Sequence, residues 1–220
     1  YSVLRPSGGS SGMSRLILIG GGGHCKSAID VIETQGVYEI SGVLEKPEFT
    51  SDQVLGYPVL GSDHDLEAFL HNSPNVLVTI GQIGISKYRA KSFLAAEAAG
   101  ATLPAVISPH AHVSQHAAVG IGTIVMHGVV VNSGACVGRN CIINTMSLVE
   151  HDVVIGDHSH ISTGARINGD ATIGSGCFVG SGAVIGNGIQ VGDSCVIGAG
   201  RLVLADVIAG STITKDHLGY

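Results

Sequence analysis

Residues 107–202 read, in blocks of six, ISPHAH VSQHAA VGIGTI VMHGVV VNSGAC VGRNCI INTMSL VEHDVV IGDHSH ISTGAR INGDAT IGSGCF VGSGAV IGNGIQ VGDSCV IGAGRL, and Val203 opens the next block. All seventeen leading positions are Ile or Val, a run whose chance odds are on the order of 10⁻⁸ if about one residue in three were of those types. The fifth position is Ala, Ser, Thr, Val or Cys in every block from Ala117 to Ala183. A period of six is neither the 3.6 of a helix nor the alternation of a flat strand. It predicts a chain that makes a short strand, turns by about 120° and completes a coil every three blocks, the coils stacking as parallel strands about 4.8 Å apart. The β-branched leading residue then fills the interior of a triangular prism, and the small fifth residue fits where the walls converge. Gly and Asn in the second to fourth positions permit the positive φ of tight corners. Cys141, Cys177 and Cys195 fall on the fifth position and read as buried fillers. The stretch holds roughly five and a half such coils. Its flat faces of small residues are expected to pair with other copies, giving a homotrimer.

Composition agrees. Of 220 residues 33 are Gly, 45% are apolar and only 13% are charged, with no Trp, against a usual charged share of about 25%. So apolar a chain can bury a large core, and the excess lies in β-branched and small residues rather than in Leu and aromatics. A net charge of −6 without any cluster of Lys and Arg argues against nucleic acid as a partner. No apolar run reaches the roughly 18 residues of a membrane span. The five cysteines, at 25, 136, 141, 177 and 195, form no CxxC pair, which fits free thiols and a cytoplasmic location. Residues 1–12, YSVLRPSGGSSG, read as a linker or expression scar before Met13.

Residues 13–106 read differently. Arg15–Ile19 is a buried strand, followed by Gly20-Gly21-Gly22-Gly23-His24 and a helix with Cys25, Ala28, Ile29 and Ile32 on one face. Strands are predicted over 40–44, 57–60 and 76–80, a helix over 63–71 capped by Ser62, and another over 86–99 closed by Gly100. Alternating strands and helices imply a short Rossmann-like parallel sheet with the glycine turn at the carboxyl end of its first strand. Backbone N–H groups at a helix N-terminus suit phosphate or pyrophosphate, and so small a unit suits one nucleotide better than a dinucleotide.

The prism also carries a pattern with chemical content. Gly169 follows His151 by eighteen residues, so the two stack one coil apart, about 5 Å along the axis. An imidazole is the side chain whose ordinary pKa suits a base near neutral pH, and a glycine beside it lets a ligand approach a backbone N–H able to face an oxyanion.

Two segments, LILIGGGGHCKSAIDVIE (16–33) and NTMSLVEHDVVIGDHSHISTGARING (144–169), resemble the opening and the active-site stretch of the sugar O/N-acyltransferases, the family of sialic-acid O-acetyltransferases and bacterial nucleotide 4-amino-sugar N-acetyltransferases. The resemblance covers Met13 to about Asp206. It implies a nucleotide-sugar-binding domain at 13–106, a left-handed parallel β-helix at 107–206, a tail at 207–220, a homotrimer with active sites between subunits, and acetyl-CoA as co-substrate without a metal. It further implies His151 as general base oriented by Asp152, and His160, Gly169, Gly180 and Ser181 along acetyl-CoA. Gly20, Gly22, Gly23, His24, Glu45, Gly81, Gln82, Arg89 and Asn144 are implied on the side of the nucleotide sugar. The chain departs from the pattern in three places: Glu45-Lys46 replaces paired aspartates, Gln82 replaces an asparagine, and the tail lacks a Gly-x-Pro-Ala motif.

The expected activity is N-acetylation of a nucleotide-linked 4-amino-4,6-dideoxy sugar for surface-glycan synthesis. O-acetylation of a sialic-acid-like sugar needs the same base and donor and is the alternative. A non-catalytic nucleotide-sugar scaffold is a further one. So is a metal site of the γ-class carbonic anhydrase kind built on His151, His158 and His160, although their spacing does not reproduce those ligands.

Overall fold

The structure is a computed structural model that describes residues 13–46, 48, 51–85 and 87–215. The expected linker at 1–12, Ser86 at the start of the third helix and the last five residues of the tail lie outside the described residues. The first unit contains β1 (Ser14–Ile19), α1 (Gly23–Gln35), β2 (Tyr38–Leu44), β3 (Gln53–Val54), β4 (Tyr57–Gly61), α2 (Leu66–Leu70), β5 (Asn75–Val78) and α3 (Lys87–Ala98). Its sheet runs β3-β4-β2-β1-β5, parallel throughout except for the β3–β4 hairpin. In β1, Leu16 to Ile19 are buried on both faces, as the centre of a parallel sheet requires. The buried face of α1 is Cys25, Ala28, Ile29, Val31 and Ile32, and the helix stops where Gly36 adopts φ 65° and returns its N–H to the Ile32 carbonyl at 3.0 Å.

Two local elements differ from the sequence reading. The β3–β4 hairpin was not anticipated. The helix expected over 63–71 is a 3₁₀ turn, Asp63–Asp65, running into the five-residue α2. Its start is fixed by the Asp65 carboxylate, which accepts the Ser62 N–H at 2.8 Å and the Ser62 hydroxyl at 2.9 Å.

From Val106 onward the chain winds into a left-handed parallel β-helix. Each strand is two residues long, the sixth of one block and the first of the next, and pairs with its equivalents eighteen residues away. The pairs form three sheets, one per face. Every leading residue from Val125 to Val203 is buried, as are the small fifth-position residues from Ala117 to Ala183. The fourth position of every block from Gly122 to Gly200 has positive φ. Glycine takes most of these corners, but Asn140, Met146, Asp152, His158, Asp170 and Ser194 are also left-handed. Cys141, Cys177 and Cys195 are buried thiols, and Cys136 alone of the five is exposed.

The ladder continues past the boundary expected at 206. Four residues rather than six separate Val203 from the next inward residue, Val207, which bridges Val191, and Thr212–Ile213 then pairs with Val196–Ile197. The segment read as tail therefore supplies the next coil.

The first unit docks on one face. Outward residues Val106, Ile124 and Ile142 of that face are buried, whereas Phe178 and Val196 further along are only partly covered. Phe93 of α3 lies against Gly122, where any Cβ would collide with its ring, and packs edge-on against His158 with centroids 5.6 Å apart. Asp30 of α1 reaches His127 at 2.9 Å, and Arg139 joins Glu97 to Asp157. The two units are thus fixed together, leaving a groove where the face emerges from cover.

Ile167 is fully buried mid-column. Ile167→Ala is expected to cost about 2–5 kcal/mol, read as an earlier midpoint in urea unfolding.

Candidate active site

One edge of the prism carries Glu150, His151 and Asp152, with Asn132 one coil before and Asn168 and Gly169 one coil after. Asn132 donates to Glu150 at 2.8 Å. The Asp152 carboxylate lies 3.0 Å from His151 Nδ1, so Nδ1 carries the hydrogen and Nε2 is left with its lone pair. That hydrogen bond raises the His151 pKa above its usual value, and the charges of Asp152, Glu150 and Asp170 add to it. The imidazole lies on Gly169: a Cβ built there would stand 2.5 Å from His151 Nε2. Gly169 N–H has no acceptor among the described residues. An imidazole nitrogen with a free lone pair and a peptide N–H without an acceptor therefore meet at one spot.

The next edge and the adjoining face form an open cleft of about 960 Å³ between the two units, lined by Gly23, His24, Gly81, Gln82, Asn144 and His160 at one end and by Ser162, Thr163, Phe178, Gly180, Ser181 and Ala199 along its length. His160 Nδ1 is 2.8 Å from the Gln82 carbonyl. A carbonyl only accepts, so Nδ1 bears the hydrogen and Nε2 accepts, here from Asn144 Nδ2 at 3.2 Å. Asn144 is held in turn by the Thr145 N–H, which donates to its Oδ1 at 2.8 Å. Burial pushes the His160 pKa down to about 4, with Arg89 adding to the effect. His24 is pushed down to about 3 by burial, then by His160 and Arg89. Both rings are neutral at pH 7. His24 Nε2 is buried without a partner, a polar atom that a ligand in the cleft can satisfy.

A smaller groove opens beside the glycine turn, lined by Gly21, Gly22, Gly23, Lys26, Ser51, Gln53, Val54 and Leu55. The glycines here serve different ends. A Cβ on Gly20, at φ 102°, would strike Ile80 at 2.5 Å, so packing demands glycine. At Gly22 and Gly23 a Cβ would meet nothing within 4 Å. Packing does not explain the bare backbone there, and it leaves a helix N-terminus open to an anion.

The comparisons with known proteins fall on both units. The profile described as the PglD N-terminal domain matches residues 15–93, and that of the hexapeptide repeat of succinyl-transferase matches 171–205. Among solved structures, the acetyltransferase domain of PglB from Neisseria gonorrhoeae, in complex with acetyl coenzyme A, is 31% identical with a TM-score of 0.83, over 91% of this chain and 96% of that one. The chain belongs to the hexapeptide-repeat sugar acyltransferases. PerB from Caulobacter crescentus, solved with CoA and GDP-perosamine, is 30% identical over 93% of this chain and 95% of that one, with a TM-score of 0.84. WeeI from Acinetobacter baumannii is 25% identical over 91% and 96%, with a TM-score of 0.79. The search of curated proteins yields no match.

In this acyltransferase the expected site residues fall into separate groups. His151, Asp152 and Gly169 share one edge; Asn144, His160, Gly180 and Ser181 meet Gly23, His24, Gly81 and Gln82 around the cleft; Gly20 and Gly22 shape the turn. Two residues assigned to the nucleotide sugar have side chains engaged within the protein. Arg89 is 1% exposed and lies behind the cleft, its guanidinium taken up by protein oxygens. The Gln82 side chain is likewise occupied, bridging Arg89 and Gly84, while its main-chain carbonyl meets His160 in the cleft. Glu45 closes the glycine turn from inside, accepting the Gly21 N–H at 2.5 Å and the Lys46 N–H at 2.8 Å. Among the described residues no three His, Cys, Asp or Glu side chains are grouped to hold a metal ion, and no helix is long and apolar enough to cross a membrane.

Ser162, Thr163 and Ala199, cleft residues not foreseen, were within reach of arithmetic. Adding eighteen to Asn144 gives Ser162, Gly180 and Gly198, and from Thr145 the same step gives Thr163, Ser181 and Ala199, all on one edge. Lys26 and Gln53 had no such signal.

Gly169→Ala is expected to displace the His151 ring and lower kcat by at least about tenfold, with the thermal midpoint little changed. Full turnover in that variant would show that His151 has no fixed place on Gly169.

Proposed function

We propose that this acyltransferase moves the acetyl group of acetyl-CoA onto the amine of a nucleotide-linked 4-amino-4,6-dideoxy sugar, with His151 as general base. The observation that carries this reading is His151 itself: Nδ1 bound to Asp152, Nε2 free, and the ring resting on a glycine with an open N–H. Nε2 takes a proton from the sugar amine as its nitrogen attacks the acetyl carbonyl, and Asp152 steadies the imidazolium that forms. Gly169 N–H faces the oxygen on which negative charge develops. The C–S bond then breaks, and the thiolate of CoA leaves. A thioester is already activated, so no covalent enzyme intermediate is required. The likeness to the Caulobacter protein, named GDP-perosamine N-acetyltransferase, supports an amine as acceptor.

The grooves suggest how the substrates lie. Gly22 and Gly23, with Lys26 beside them, would receive the pyrophosphate at the N-terminus of α1, the small groove the nucleoside, and the cleft the arm of acetyl-CoA. His151 stands on a different edge from the cleft, so one chain does not assemble base and cleft by itself. A homotrimer answers this if the His151 edge of one copy faces the cleft of the next. On the face between those edges the half-buried Val130, Leu148, Val184 and Leu202, with the exposed Arg166 in the middle of the row, form a largely apolar surface suited to that contact.

The direct test is free-thiol release from acetyl-CoA with a panel of nucleotide amino-sugars and their hydroxyl analogues. Turnover with the amino-sugars alone is expected, and turnover with only the hydroxyl compounds would overturn the reading. His151→Ala should lower kcat by about 10²–10⁴; near-normal turnover would remove His151 as the base. Because the base must be unprotonated and its pKa is raised, kcat/KM should fall on acidification from a point above the ordinary histidine value. Asp152→Asn removes the cause and should move that fall to lower pH. A profile flat from pH 5 to 8 would count against the assignment. Light scattering should give three chains per particle, and Leu148→Glu should give single chains without turnover.

A further inference from the structure

Arg89 is a buried cation whose hydrogen bonds, among the described residues, reach no carboxylate. Nε and Nη2 donate to Gln82 Oε1 at 3.1 and 2.8 Å, Nη2 also to the His158 carbonyl at 2.5 Å, and Nη1 to the Asn140 carbonyl. The last two residues stack one coil apart on the edge where α3 docks, both at left-handed corners. Holding a charge on neutral oxygens in a dry site is costly, and an apolar side chain of similar volume is often no worse for stability. What the guanidinium supplies is geometry. It ties Gln82 to two consecutive coils, while Gln82 Nε2 donates to the Gly84 carbonyl at 2.8 Å. Gln82 is thereby pinned at both ends of its amide, and with it the segment 81–84, whose Ile83 is 94% exposed and whose backbone makes no hydrogen bond to other backbone among the described residues. The main-chain carbonyl of the same Gln82 receives the hydrogen on His160 Nδ1.

We propose that Arg89 and Gln82 are positioning residues that lock His160 in the tautomer with its hydrogen on Nδ1, so that Nε2 presents only a lone pair to the cleft. The consequence for recognition is specific. His160 cannot donate a hydrogen bond to an acyl or thioester oxygen; it accepts one, and its ligand must offer an N–H. Two sources carry that chemistry, an amide of the pantetheine arm and the amine of the acceptor sugar. Asn144 Nδ2, at a long 3.2 Å, fills the position meanwhile, and His24 Nε2 lies nearby, the two rings 6.4 Å apart. The inference rests on the acyl-transfer reading for its ligand, but the tautomer is a property of the free protein.

The test has two arms on the full chain. In the first, protein labelled with ¹⁵N in its histidine rings is observed without substrate, and the His160 signals are assigned by their loss in His160→Gln. Wild type is expected to show protonated Nδ1 and bare Nε2, and Arg89→Met a mixture of tautomers. A wild-type His160 protonated on Nε2 overturns the proposal whatever the reaction is. In the second, Arg89→Met is expected to keep its thermal midpoint within a few degrees yet lose about 10- to 100-fold in kcat/KM, and Arg89→Lys to recover part of it. A rise in KM confined to acetyl-CoA identifies the pantetheine amide, and one confined to the sugar identifies the amine. Unchanged kcat/KM in a folded Arg89→Met protein would make Arg89 merely structural and overturn the proposal. Should Arg89→Met not fold, Gln82→Met, which removes the acceptor but keeps the charge, carries the same two readouts. Failure of His151→Ala to affect turnover would instead strike the reaction assignment and leave the tautomer standing.

Discussion

Parallel pairing at a constant offset of eighteen residues is the constraint on which everything else in this molecule hangs. Each residue of an inner strand is held between the equivalents one coil below and one coil above, as Leu148 is between Val130 and Arg166, and Arg166 between Leu148 and Val184. A slip of a single residue would turn every inward Ile and Val outward, so the buried column fixes the register. The same register sets which side chains share an edge. It brings the imidazole of His151 down onto Gly169, lines Asn144, Ser162 and Gly180 along one wall, and stacks the carbonyls of Asn140 and His158 where one guanidinium reaches both.

Electrostatic surroundings then give equal side chains unequal tasks. His151 sits in water among Asp152, Glu150 and Asp170, which favour its protonated form. His160 and His24 are enclosed, near a cation and away from any carboxylate, and so they stay neutral. Only the first has the properties of a base at neutral pH; the other two can shape and hold a ligand without competing for its proton. The separation costs little in sequence terms, since His151 and His160 are nine positions apart.

Much of this was legible in the amino acids. The unbroken run of Ile and Val every six residues forces the column, and the pairing of His151 with Gly169 follows by counting. The strand–turn–helix at 14–35 was equally plain, because a continuous apolar run followed by four glycines has few other solutions. What escaped had no local cause. A two-residue strand such as Gln53–Val54 exists only by pairing with its neighbour. Arg89, read as facing a ligand, is buried because α3 docks on a corner far away in sequence, and no property of the helix itself announces that. The final coil is hidden in the sequence because Val203 and Val207 are four apart, which breaks the count of six. That His151 and the cleft lie on neighbouring edges is likewise a matter of how the face is covered, not of motif.

The left-handed corners lead to a tension between durability and use. Four consecutive corners, Asn140, Met146, Asp152 and His158, forgo glycine, and each such residue bears about 1–2 kcal/mol of conformational strain. Three of them turn one coil and the fourth, His158, stacks on the first; among them lie the carboxylate at His151, the carbonyls that anchor Arg89 and a corner beside the cleft. Glycine at these points would relax the backbone, but at Asp152 it would also delete the carboxylate that orients His151. The stretch that carries these groups is therefore the least comfortable in the stack, and attempts to harden this scaffold against heat will find their easiest gains where they disturb the candidate site most.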